Sequence, residues 1–371
     1  MVRSPRLFAS LSRLCPLGSS PGSPLRLTAG PGGWSLSFAI STGRTDFLTQ
    51  SKEAEPVWVT GAGGFIGLHL ARFLAQKGFH VIGFGRKEAP GFALATGGVF
   101  FPGGVAVETM DAALAAHGRP SAVFHLAGGA TVGQSIVDPL KDFEQSVVSA
   151  ARILDFLRRH APDAPVVLAS SAAVYGGGHA GSIRVDAALD PYSPYGYHKR
   201  MVEELGRSYC AAYGQRVSVA RLFSVYGEGL RKQLLWDLCG RLAAGETDIV
   251  LGGTGTEMRD WHHVSDVVRL IHRILPAGEP RFAIYNGGAG AAASVSTISS
   301  MILKAWGGNH RLSFSGESRR GDPVNLISDP SGVPEGLQLQ VPLSKGIAGY
   351  VDWYRADVLA EPVGRLRRVA P

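Results

Sequence analysis

Tyr195, Lys199 and Ser171 are the residues whose types and spacing point most directly to chemistry. The run Tyr195-Gly196-Tyr197-His198-Lys199 opens a helical pattern. Residues four apart share a helix face, so a phenol and an ammonium can enter one cleft. A free tyrosine titrates near ~10 and is a poor base at neutral pH. A cation held within a few ångströms lowers that by roughly 1–3 units, which would let the phenol accept the proton of an alcohol being oxidised. Ser171 follows the apolar run that starts at Val166, at the carboxyl edge of the strand it forms, and its hydroxyl can hold the same substrate oxygen. Tyr197 is read as packing.

A second constellation lies upstream. Residues 60–67 read TGAGGFIG, with Gly61, Gly64 and Gly67 between a short apolar run and a helical pattern. Small residues there would make a tight turn, let backbone amides approach a pyrophosphate, and let a helix pack on a sheet. This is the physics of a dinucleotide site, and an oxidised nicotinamide would add a second positive charge beside Tyr195. An acid ending the second strand of such a fold binds the adenosine ribose hydroxyls. Here the run 80–84 leads into Gly85-Arg86-Lys87, with Glu88 read as pointing to solvent. Arg86 suits a 2′-phosphate, so NADP is expected more readily than NAD.

The elements that must position these groups follow from periodicity. From Pro56 onward short apolar runs alternate with helical patterns, the order of a doubly wound parallel sheet. Strands are predicted at 57–59, 80–84, 122–126, 166–169 and 217–222, and helices at 66–76, 143–159 and 195–213. The glycine-rich stretch 91–104 is read as irregular. Beyond Ser224 the pattern loosens. The expected architecture is α/β, a Rossmann-type doubly wound parallel sheet with a smaller C-terminal substrate-binding lobe. It divides into a disordered extension at 1–52, a dinucleotide domain at 53–223 to which later segments return, and a region at 224–371 that is mainly the lobe.

Composition excludes several classes. The 371 residues are 45% hydrophobic and 18% charged, and 49 Gly with 22 Pro show no fixed period, so collagen-like and wholly disordered readings fail. The net charge of +7 suggests nucleic acid until its distribution is examined. Residues 1–45 hold five Arg and no acid, and Arg365, Arg367 and Arg368 add three more, leaving 29 basic against 30 acidic residues between. A near-neutral folded part makes a nucleic-acid face unlike this chain. Three cysteines, Cys15, Cys210 and Cys239, have no metal-like spacing and cannot build a disulfide framework, so no metal is expected. The longest uncharged run, 282–303, contains Asn286, three Gly and several Ser and Thr, and reads as a strand, a turn and a helix start rather than a membrane span. A cytoplasmic location is expected. The Ser-rich, acid-free first 45 residues leave an organellar transit peptide open, as well as translated upstream sequence.

Taken in order, the motifs resemble the extended short-chain dehydrogenase/reductases, in particular the NAD-dependent epimerase/dehydratase branch acting on nucleotide sugars. The resemblance runs from Pro56 to about Arg355. It rests on TGAGGFIG, HLAGGATVGQSIVDP from His125, SSAAVYG from Ser170, SPYGYHK from Ser193, RLFSVYGEG from Arg221, MRDWHHVSDVV from Met258, YNGGAG from Tyr285 and RRGDP from Arg319. It implies that Tyr195 is the catalytic acid or base, that Lys199 lowers its pKa and holds the nicotinamide ribose, and that Ser171 orients the sugar hydroxyl. It places Gly61, Gly64, Phe65, Ile66 and Gly67 on the cofactor, Arg259 and Arg319 on the substrate diphosphate, and implies a homodimer. Departures matter as much. Family members that dehydrate the sugar carry an acidic pair where this chain has Ala172 and Ala173, so dehydration is disfavoured. Two positions usually Asn are Ser146 and Ser224. The expected function is hydride transfer at carbon 4 of a nucleoside-diphosphate sugar, by an epimerase or a 4-keto reductase. The alternatives are a catalytically silent dinucleotide sensor and a reductase of non-sugar ketones.

Overall fold

The structure is a computed structural model that describes residues 56–276, 278–288, 290, 292–317, 323–329, 331 and 340–359. The extension at 1–52, Cys15, Arg319 and the three C-terminal arginines lie outside the described residues.

The first half alternates strands and helices as its periodicity requires. It runs through β1 (Val57–Thr60), α1 (Phe65–Gln76), β2 (Val81–Gly85), α2 (Phe92–Thr96), β3 (Val99–Pro102), α3 (Val107–His117) and β4 (Ala122–His125). It continues through α4 (Val132–Val137), α5 (Pro139–Phe143), a π-helical turn at Glu144–Val148, α6 (Ser149–His160), β5 (Val166–Ser171), α7 (Pro194–Tyr213) and β6 (Val217–Leu222). The second half contains β7 (Ser224–Tyr226), α8 (Gln233–Ala243), β8 (Asp248–Leu251), β9 (Met258–His263), α9 (Val264–Arg273), β10 (Phe282–Gly287), β11 (Ala292–Ser294), α10 (Val295–Trp306), β12 (Arg311–Phe314), β13 (Asn325–Leu326) and α11 (Leu343–Trp353).

Seven strands form one sheet in the order β10-β6-β5-β4-β1-β2-β3, every pair parallel. Strand order reverses between β1 and β4, and a ligand crevice opens at such a reversal, beyond the carboxyl ends of the strands. Side chains alternate between two covered faces. Trp58, Val123, Val166, Leu168, Val217 and Val219 pack with α3, α6 and α7 on one side. Val57, Val59, Phe124, Val167 and Ala220 pack with α1 and α9 on the other. A separate apolar cluster joins α8, α10 and α11 through Leu238, Ile298, Ile302, Ile347 and Tyr350. Beside it, β9 pairs antiparallel with β11 and parallel with β7 and β13.

The stretch 91–104 is not irregular as expected. It holds α2 and β3, and β3 pairs in register with β2. The glycines that argued for irregularity lie largely at the ends of these elements: Gly91 and Gly97 flank α2 in left-handed geometry. Gly83 has no side chain where a Cβ would meet Phe92 at 2.6 Å and Phe100 at 3.0 Å, so those two rings close over β2. Tyr197, read as packing, is 48% exposed. It faces the side of α7 opposite the core.

Candidate active site

The glycine turn is built by steric exclusion. Gly61 has φ +69°, and a Cβ there would lie 2.9 Å from the backbone of Leu126 and Ala127. A Cβ on Gly67 would lie 2.1 Å from the Gly61 carbonyl oxygen. Both positions therefore require glycine, and α1 starts directly after Gly64. Gly61, Gly64, Phe65, Ile66 and Gly67 line a cleft of about 2030 Å³, with the first turn of α1 at its wall. This cradle fits a dinucleotide pyrophosphate, by the amide and helix-terminus argument made from the sequence.

Two local devices set the reacting end. Ser193 caps α7 by accepting the Gly196 N–H at 3.2 Å, and Pro194 fixes the first turn, so Tyr195 and Lys199 emerge beside the end of β5. After β5 the chain turns through a 3₁₀ helix at Ala172–Tyr175, with Ser171 Oγ accepting the Ala173 N–H at 3.2 Å. Ser171, Tyr195 and Lys199 line the same cleft as the glycine turn, Arg86 and Arg259. Among the described residues, the structure thus brings together every site residue read from the sequence; Arg319 lies outside them.

The electrostatics differ from the expectation that Lys199 draws the Tyr195 phenol down. Burial holds that phenol above its ordinary value and the Asp142 charge adds to it, while a hydrogen bond with Ser171 opposes both. The reason is geometric: Lys199 Nζ lies 5.7 Å from the centre of the Tyr195 ring and donates to the Ala169 carbonyl at 3.1 Å. Burial pulls Lys199 itself down to about 8, against the charges of Asp142 and Glu203.

Arg86, Lys87 and Glu88 are all exposed and line the cleft past the end of β2. Arg259 donates through Nη1 to the carbonyls of Met258 at 2.9 Å and Pro323 at 2.7 Å. Ala172 and Ala173 bring no acid to the cleft wall.

Sequence reasoning passed over several groups here. Asp142 on α5 and His198 on α7 form a buried pair, Nδ1 to Oδ2 at 2.6 Å, and Asp142 lines the cleft. Lys232 reaches the Ala130 carbonyl at 3.1 Å across the same cleft. His125 is enclosed between Thr60 Oγ1 at 2.8 Å and Ser149 Oγ at 3.4 Å, and burial pushes it down to about 3. His198 stood inside the quoted SPYGYHK motif, an imidazole directly before the lysine, and His125 opened the quoted HLAGGATVGQSIVDP motif, so both were within reach of the sequence. Behind β5, Arg221 donates from Nε and Nη2 to Glu203 at 2.9 and 2.7 Å and from Nη1 to the Tyr175 hydroxyl at 2.8 Å, while Ser170 donates to Glu203 at 2.5 Å. The network ties β5, β6 and α7 one residue away from Ser171. Among the described residues, no group of three or more His, Cys, Asp or Glu is arranged for a metal, and no helix is long and apolar enough to cross a membrane.

Comparison with known proteins gives a consistent family. Residues 57–288 match the model described as NAD dependent epimerase/dehydratase family. A UDP-glucose 4-epimerase of Azospirillum brasilense is 30% identical over 319 residues, covering 78% of this chain and 88% of that protein. A dTDP-glucose 4,6-dehydratase of Streptomyces griseus is 30% identical over 234 residues, 62% of this chain and 71% of that protein. Among solved structures, MoeE5 in complex with UDP-glucuronic acid and NAD superposes with a TM-score of 0.71 at 30% identity, over 81% of this chain and 99% of that one.

Proposed function

Because the chain belongs to the NAD dependent epimerase/dehydratase family, we propose that it transfers hydride at carbon 4 of a nucleoside-diphosphate sugar, with 4-epimerisation as the principal reading. The observation that carries this is the convergence of Ser171, Tyr195 and Lys199 on one cleft with the glycine turn, where the following residues are Ala172 and Ala173. When bound, a nicotinamide dinucleotide supplies hydride acceptance and return.

Tyr195 takes the proton of the sugar hydroxyl and gives it back, while Ser171, already bonded to the phenol, holds the substrate oxygen. Lys199 hydrogen bonds to the ribose, and the positive charge that would draw the buried phenol down is that of the oxidised nicotinamide when bound. Arg259 and Arg319 grip the substrate diphosphate, where a forked guanidinium suits the anion. Ala172 and Ala173 cannot move a proton, which supports hydride transfer without elimination of water. The intact Ser171, Tyr195 and Lys199 set argues against a silent sensor. A pair of such chains is the working unit in this reading, supported by exposed Ile136, Val137 and Leu140 on α4 and α5 with Tyr197 and Met201 on α7; a monomeric mass on sedimentation would remove it.

One observation favours a second reading. Arg86 is exposed beyond β2 with no acid before it, which favours NADP and, with it, a net 4-keto reductase drawing on exchangeable reduced cofactor. Incubating the protein with UDP- and dTDP-linked sugars and their 4-keto forms, with and without added reduced cofactor, separates the two. Epimer formation without added cofactor supports the first. Activity confined to non-sugar ketones, with no inhibition by a nucleoside diphosphate, would refute both. Tyr195→Phe should lower turnover by about 100- to 10,000-fold and leave cofactor binding in place, with Ser171→Ala costing less. A Tyr195→Phe protein keeping half its turnover would exclude the assigned role.

A further inference from the structure

The buried pair Asp142–His198 has no part in the chemistry above, although Asp142 lines the cleft. Its carboxylate and the Lys199 ammonium converge on one corner of the chain, Gly128-Gly129. A Cβ on Gly128 would stand 3.0 Å from Lys199 Nζ and one on Gly129 would stand 1.7 Å from Asp142 Oδ1. Ser146 Oγ is 3.4 and 3.3 Å from the same two points. Two glycines therefore leave open the corner that both side chains enter. The other oxygen of the carboxylate, Oδ2, is held by His198 at 2.6 Å. His198 sits between Tyr195 and Lys199 on α7, and the Phe143 ring packs edge-on against it.

We propose that Asp142, clamped by His198, is the counter-charge of the Lys199 ammonium and so a positioning residue for proton transfer at Tyr195. The other groups facing Lys199 do not fill this role. Glu203, on its own helix, is engaged by both Nε and Nη2 of Arg221. Lys232, ahead of α8, is a second cation, and His125 at the end of β4 is neutral in its buried site. Tyr195 lies one turn back on α7. The direction at Lys199 agrees, since Asp142 raises it against the pull of burial, while the same charge also holds the Tyr195 phenol up. The proposal rests on Tyr195 and Lys199 being the proton-transfer pair.

The test is the pH dependence of NADH binding to the full chain, followed by tryptophan fluorescence, together with the pH profile of turnover. Wild type should bind NADH with an affinity that weakens as Lys199 loses its proton near pH 8, and Lys199→Met should lack that break. Asp142→Asn should move the break lower by about 1 pH unit, the low end of the range for losing a nearby opposite charge. It should lower kcat at neutral pH more than it raises KM. A break within about 0.3 pH units of wild type in folded Asp142→Asn protein would overturn the proposal. So would a wild-type break that survives in Lys199→Met. If Asp142→Asn does not fold, His198→Ala should shift the break in the same direction and His198→Asn, which keeps a donor, should recover most of it; equal breaks in these two would also overturn it. Absence of turnover on every nucleotide sugar would defeat the functional reading, while the binding break still decides the counter-charge.

Discussion

Acidification should weaken this protein earlier than its carboxylates alone require, and His125 is the cause. The imidazole is 2% exposed and its folded value is pushed down to about 3, against 6.5 in a free chain. The folded protein therefore keeps His125 neutral over a range in which the unfolded chain protonates it. The resulting stability is fully present above pH 6.5 and is lost as pH falls towards about 3. A displacement of that size corresponds to roughly 5 kcal/mol over the full window, and to about 2.5 kcal/mol between about pH 6 and pH 4. The perturbation is His125→Asn, whose amide can still reach Thr60 Oγ1. The variant has a fixed cost from lost packing, so the informative quantity is the stability gap between the two proteins, measured by urea unfolding at several pH values. His69, also held low by burial, and the depressed carboxylates of Asp260 and Glu228 lose stability in both proteins and cancel in the gap. The gap should close by about 2.5 kcal/mol between about pH 6 and pH 4. A gap constant to within about 0.5 kcal/mol would mean that His125 is solvated or protonated in the fold, and would refute the reasoning.

The buried Arg221–Glu203 pair should behave oppositely to a surface ion pair. Glu203→Ala strands a guanidinium whose side chain is only 4% exposed, with an expected loss of about 3–5 kcal/mol in urea unfolding; a loss below about 1 kcal/mol would show the pair is not desolvated. Cofactor choice is read by the dissociation constants of NADPH and NADH. Arg86→Ala should cost NADPH about one to two decades relative to NADH, and an unchanged ratio would return the balance to NAD.

Much of the frame was legible in the residues because parallel strands buried on both faces write themselves as unbroken apolar runs. β6 was readable to both its ends for this reason, and β5 from its first residue to Ala169, short of the two serines that finish it. The glycine turn was legible through its spacing and through Gly67, which is demanded by the Gly61 carbonyl within the same turn; Gly61 itself answers to Leu126 and Ala127, far along the chain just beyond β4. The stretch 91–104 misled because its glycines resemble a loop while Phe92 and Phe100 are placed by Gly83, on a strand apart in sequence. The Tyr195 environment was beyond local reading for a similar reason. Spacing shows that Tyr195 and Lys199 share a helix face, but the Ala169 carbonyl that draws the ammonium aside lies 30 residues away, on β5. Asp142 and His198 are 56 residues apart. Nothing in either local pattern marks the other as a partner.

The path of the chain between its large sheet and the smaller sheet around β9 limits how substrate preference can be altered. The chain leaves the seven-stranded sheet after β6, builds β7, β8 and β9, packs α9 back on the large sheet, adds β10 to that sheet's edge, then returns through β11 to pair with β9. No single cut separates the substrate side from the cofactor side, so lobes cannot be exchanged between relatives as cassettes. A grafted segment running from β7 through α9 would bring a foreign α9 face against α1, and one running on through β11 would also set a foreign β10 against β6. Redirecting this scaffold is therefore a matter of individual cleft side chains on a backbone retained whole.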